Sequence, residues 1–243
     1  MSLFYPVLWI VLMIPLFLLA YFTSKETNLK FLAFFILYFL IDSYVQLSPE
    51  YLNLPSFGLQ FGWISKMLSI AISLLLLFFL SKKSRKEIGF TKSIHKKTTR
   101  LGILLFIGYL IIDFIIKFII FPKGGDFDLE AFLFQAIMPG ISEELAYRGI
   151  GLWLLSKAFP PTWNIKGIKF GWGFVIITIL FGVVHGVIID SNLEFQLDIV
   201  TILYITTLTS LALGFLRKFT DNISFNILGH NIVNVMNAFI RIL

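Results

Sequence analysis

Residues 101–121 read LGILLFIGYLIIDFIIKFIIF, an apolar run interrupted by only two charges, Asp113 and Lys117. Wound as an α-helix at about 1.5 Å per residue, it reaches about 31 Å, enough to cross the hydrocarbon core of a bilayer. Its two charges are four residues apart, so they meet on one face as an ion pair that neutralises itself in lipid. Comparable runs recur at about 3–23, 29–47, 58–81, 129–157, 171–189, 197–216 and 223–242. A soluble domain could not hide so much apolar surface: of 243 residues 58% are hydrophobic and 14% charged, and the mean hydropathy is +0.88. The expected fold is all-α, a single domain over residues 1–243 forming a bundle of about eight transmembrane helices. The first run has no basic segment before it and no small-residue cleavage site before Lys25, so it reads as a retained helix rather than a signal peptide.

Charge gives the bundle a direction. If the basic stretch carrying Lys82, Lys83, Arg85, Lys86, Lys92, Lys96, Lys97 and Arg100 is cytoplasmic, alternation puts Lys25, Lys30, Lys157, Lys166, Lys169, Arg217 and Lys218 on the same side. Only Lys123 and Arg241 remain opposite, together with the acidic Glu50, Asp126, Asp128, Asp190, Glu194 and Asp198. The formal charge of +6 therefore reads as topology, and nucleic acid is not an expected partner. The expected location is the plasma membrane. With no cysteine, disulfides, thiolate nucleophiles and Cys-ligated zinc are excluded.

An ionisable group at bilayer depth costs a few kcal/mol, so each one calls for a partner or a task. Asp42 and Lys66 lie on different runs and are expected either to pair or to reach for an interface; no chemistry is assigned to them. In Ser142-Glu143-Glu144-Leu145-Ala146-Tyr147-Arg148-Gly149, two adjacent carboxylates stand in an apolar helix. Glu144 and Arg148 share a face at four-residue spacing, whereas Glu143 is turned about 100° away, so Arg148 anchors Glu144 and Glu143 reads as a general base for water. Taken alone, the motif reads more readily as a structural Arg–Glu cluster between helices.

Two further polar faces accompany it. Phe181 and His185 are four apart, flanked by Gly182 and Gly186, which let a neighbouring backbone come close. Asn226, His230 and Asn234 recur every four residues, and Asn237 extends the stripe. Three helices that each present such a face point to one shared site. Rise per residue puts Glu143 about 15 Å from either membrane edge, His185 about 15–21 Å from the cytoplasmic edge and His230 shallower, at about 10 Å.

These residues resemble the CAAX protease and bacteriocin-processing family of intramembrane peptidases (CPBP, or Abi), whose pattern is Glu-Glu-x-x-x-Arg, Phe-x-x-x-His and His-x-x-x-Asn. Here the three motifs are Glu143, Glu144 and Arg148; Phe181 and His185; and His230 and Asn234. The resemblance implies hydrolysis of a peptide bond in a membrane-associated peptide or protein. Glu143 and His185 would handle the water, and His230 and Asn234 would steady the oxyanion. Glu144, Arg148 and Phe181 would support them, with no cofactor required. Zinc is the alternative, held by Glu143, His185 and His230 with Glu144 as base. Motifs of other intramembrane proteases are absent: there is no His-Glu-x-x-His and no Gly-x-Gly-Asp, and Gly140-Ile141-Ser142 continues to Glu143 rather than to glycine. A non-catalytic immunity factor or scaffold is the rival reading, and a proton-relaying transporter a second, without the repeat that would support it.

Overall fold

The computed structural model describes residues 3–189 and 194–243; Asp190, assigned above to the far side, lies outside them. Two long helices, α1 (Tyr5–Thr23) and α2 (Leu29–Tyr51), precede α3 (Trp63–Phe79) and a short basic helix, α4 (Lys82–Ile88). Next comes α5 (Thr99–Ile120). The fifth expected run is a continuous rod in three parts: α6 (Leu129–Glu143), a π-helical segment π1 (Glu144–Gly151) and α7 (Leu152–Ala158). After α8 (Trp172–Gly186), a second composite rod joins α9 (Ile199–Tyr204), π2 (Ile205–Ser210) and α10 (Leu211–Thr220), and α11 (Ile223–Ile242) follows.

Two features depart from the all-α expectation. Short antiparallel hairpins bracket α8: β1 (Trp163–Ile165) pairs with β2 (Ile168–Phe170) before it, and β3 (Val187–Ile189) pairs with β4 (Phe195–Leu197) after it. The expected count of about eight crossings is also finer than length and composition show. Four segments are long and apolar enough to cross a membrane, Tyr5–Thr23, Leu29–Tyr51, Thr99–Ile120 and Ile199–Thr220, while Trp63–Phe79 and Trp172–Gly186 are shorter apolar helices.

Beside its apolar core, the bundle turns large apolar side chains outward and buries charged ones. Phe78, Phe79, Ile119 and Val200 are each more than 70% exposed, whereas Asp113, Glu144, Asn226 and Arg148 are at most 1% exposed. Apolar side chains outside and hydrogen-bonded polar ones inside are what a protein dissolved in lipid requires. The expected Asp113–Lys117 pair forms at 2.9 Å in such an interior, and the hydroxyls of Tyr109 and Tyr204 donate to the same carboxylate.

Interhelical hydrogen bonds lock the rods at their ends. Glu130, in the first turn of α6, accepts from the backbone N–H of Gln60 and Phe61 and from the Trp63 indole at 2.8–3.2 Å, which ties the entry of α3 to α6. On the opposite side, Glu87 of α4 accepts from Trp153 and pairs with Lys157, both at 2.9 Å, holding the basic helix against α7.

Candidate functional site

Close backbone approach joins α6 to α11 and α8 to the α9–π2 rod. The Gly140 N–H donates to Asn231 Oδ1 at 2.9 Å, and a Cβ built on Gly140 would fall 2.1 Å from that oxygen. Any larger residue would push α11 away from α6 at this level. On α8, a Cβ on Gly182 would meet Thr206 Oγ1 at 1.9 Å and one on Gly186 the Asp198 carbonyl at 2.6 Å. The approach expected at these two glycines is therefore real, and its partner is the α9–π2 rod.

The three polar faces converge around Glu143. Its Oε2 lies 3.9 Å from His185 Nε2 and 3.8 Å from His230 Nε2, too far for direct hydrogen bonds. Both imidazoles are oriented through their other nitrogen. His185 Nδ1 is 2.6 Å from the Phe181 carbonyl, and His230 Nδ1 is 2.7 Å from Glu144 Oε1. A carbonyl only accepts, and so does an ionised carboxylate paired with arginine, which places hydrogen on both Nδ1 atoms and turns both Nε2 atoms toward Glu143.

Glu144 plays a different part from its neighbour. Its Oε1 also pairs with Arg148 at 3.1 Å, and its Oε2 accepts from Asn226 at 3.2 Å. The Arg148 guanidinium continues to Ser210 Oγ at 2.9 Å and stacks 3.8 Å from the centre of the Phe181 ring. Glu144 is thus buried with both oxygens engaged, whereas the Glu143 side chain retains 16% exposure and that of His185 36%. Arg148 pairs with Glu144 at the four-residue spacing, while Glu143 turns to Lys66 and the two histidines.

Three placements differ from the sequence reading. His230 stands level with Glu143 instead of about 5 Å shallower by rise per residue. The cause is that α11 begins beneath the basic segment: the Ile223 N–H donates to the Gly89 carbonyl and Asn222 Nδ2 to the Thr91 carbonyl, so the edge of the protein lies beyond the helix start. Asn234, one turn beyond His230, hydrogen-bonds to none of these residues among those described. It lines a cavity of about 450 Å³ with Gln135, Asn237 and Arg241.

The third difference is Lys66, which the sequence left without a role. Its Nζ is 2.9 Å from Glu143 Oε1 and 3.1 Å from Gln46 Oε1. Asp42, the expected partner of Lys66, instead accepts from Ser69 at 2.6 Å and from Gln46 at 2.8 Å. A lysine in an apolar run with no acid three or four residues away on its own helix was the available signal, but nothing local named Glu143 as its partner. As they stand, no group of three or more His, Asp or Glu among the described residues is arranged to hold a metal ion.

The chain is thus a helical membrane protein that brings two histidines around one glutamate. The segment carrying all three motifs narrows that class. Residues 126–236, somewhat under half of the chain, match the family model described as Type II CAAX prenyl endopeptidase Rce1-like. That family is a protease family, and the match supports peptidase activity. No curated protein and no solved structure matches the chain.

Proposed function

We propose that this protein is an intramembrane endopeptidase that uses Glu143 to activate water against a peptide bond of a membrane-associated substrate. The observation that carries this is the convergence of Glu143 Oε2, His185 Nε2 and His230 Nε2 at 3.8–3.9 Å, a spacing that one bridging water fits. That water donates one hydrogen to Glu143 and the other to His185 Nε2. Its oxygen bonds to the scissile carbonyl carbon while the first proton passes to Glu143. Because Glu144 occupies Nδ1 of His230, that ring donates to the oxyanion through Nε2 as an imidazolium, which the Glu144 carboxylate supports. Glu143 then returns its proton to the leaving nitrogen as the C–N bond breaks. Mass spectrometry of membranes carrying Glu143→Ala tests the proposal: precursors should accumulate that the wild type shortens, and identical peptide inventories would reject it.

The same proposal is metal-independent. A zinc ion held by Glu143, His185 and His230 would supply Lewis-acid chemistry, and the anchoring of both imidazoles through Nδ1 favours that second reading. Against it, Lys66 already places a positive charge on Glu143, and Glu144, the base such a mechanism needs, has neither oxygen free. We expect peptide cleavage to survive treatment of the purified protein with a membrane-permeant chelator. Loss of cleavage that returns with zinc, and about one equivalent of bound metal, would establish the second reading.

The bundle is proposed to cross the plasma membrane eight times with the segment 82–100 in the cytoplasm. Cysteines introduced at the exposed Ser93 and Ser56 should then react with impermeant reagents from opposite sides, and labelling from one side would refute the topology.

A further inference from the structure

Every residue of the proposed mechanism lies on α6, π1, α8 or α11, yet the shortest contact of Glu143 is to α3, outside the segment that matches the family model. We propose that Lys66 is a positioning residue for Glu143: it holds Oε1 and keeps the carboxylate ionised, so that Oε2 faces the two imidazoles as a ready base.

The hydrogen-bond chain behind Lys66 has a fixed polarity. Ser69 Oγ and Gln46 Nε2 donate to the two oxygens of Asp42, which commits the Gln46 carbonyl oxygen to accept from Lys66. Lys66 in turn donates to Glu143. Asp42 and Gln46 are one turn apart on α2, and Lys66 and Ser69 one turn apart on α3, so each helix contributes two rigidly spaced members. The Tyr38–Ser73 hydrogen bond, 2.8 Å, fastens the same two helices together one further turn along each.

The alternative is that Lys66 is merely a buried cation that found the nearest anion. Asp42, a second buried anion linked to Lys66 through Gln46, is the other candidate, and Gln46 stands between them and directs the ammonium to Glu143. The other groups around Glu143 cannot replace it. His185 and His230 approach the opposite oxygen, and Arg148 is spent on Glu144. Glu144 and Tyr147 on the same rod and Asp42 on α2 add only negative or neutral groups. Without Lys66, Glu143 Oε1 loses its hydrogen-bond donor, and the only cation left is the His230 imidazolium of the proposed mechanism, 3.8 Å from the other oxygen.

This inference rests on the peptidase reading only for its kinetic test; a spectroscopic test stands apart from it. In reconstituted protein, the infrared difference between wild type and Glu143→Gln isolates the Glu143 band. At neutral pH that band should be the ionised carboxylate, and in Lys66→Met it should be the protonated carboxyl, whereas Lys66→Arg should keep the ionised form. In cleavage of a precursor that accumulates with Glu143→Ala, Lys66→Met should lower kcat about 10- to 100-fold at neutral pH with KM nearly unchanged. Its rate should recover as pH rises, because the acid limb moves upward, and Lys66→Arg should restore most of the activity. If Lys66→Met fails to accumulate, Gln46→Leu keeps the charge but frees its second anchor, and should lower kcat about 3- to 10-fold with the limb shifted the same way. An unchanged Glu143 band and an unchanged pH profile in these variants would overturn the inference. A wild type that cleaves nothing would instead reject the peptidase reading and leave the infrared result to decide the role of Lys66.

Discussion

Glu143→Gln is expected to abolish cleavage, by about 10²-fold or more, while the protein accumulates in membranes at close to the wild-type level. The amide keeps the shape of the side chain and can still accept from Lys66 through its oxygen, so the bundle keeps its packing. What it loses is the ability to take a proton from water. The side chain of Glu143 retains 16% exposure, so the structural cost of the neutral amide is expected to be small. Activity of detergent-solubilised protein and immunoblotting of the membrane fraction check the two halves separately.

Arg148→Ala is expected to do the opposite, lowering accumulation and activity together. Arg148 is 1% exposed, and its guanidinium joins Glu144, Ser210 and the Phe181 ring. Removing it leaves the Glu144 carboxylate in the interior without its cation, at a cost of about 3 kcal/mol or more. The loss also spreads, because Glu144 orients His230 and Phe181 packs against both Arg148 and His185. Thermal unfolding of the purified variant and its yield per cell should both fall. If Glu143→Gln and Arg148→Ala behaved alike, the division between reachable and anchoring carboxylates would be wrong.

What was legible in the sequence was whatever a single helix encodes. Four-residue spacing found the Glu144–Arg148 and Asp113–Lys117 pairs, because neighbours on one helix face are fixed by the 3.6-residue turn whatever the tertiary packing. Gly182 and Gly186 announced a close neighbour without saying which rod supplies it. The fold class followed from apolar length, yet the π segments at Glu144–Gly151 and Ile205–Ser210 did not, since an extra residue per turn leaves no compositional mark. The features that escaped all depend on which helices touch. The link from Lys66 to Glu143 joins residues 77 apart, the level of His230 depends on the segment that covers the start of α11, and the surroundings of Asn234 depend on the cavity between α6 and α11. Pairwise spacing within a helix carries none of that information.

The central claim is that water held by Glu143 breaks a peptide bond, and its most direct test is isotopic. Reconstituted wild-type protein and Glu143→Gln would each be incubated in ¹⁸O-labelled water with a precursor that accumulates in Glu143→Ala membranes, and the products weighed by mass spectrometry. The wild type should release a shortened product whose new carboxyl group carries one ¹⁸O atom, and Glu143→Gln should release none. An intact precursor with both proteins, or equal cleavage by both, would contradict the role given to Glu143.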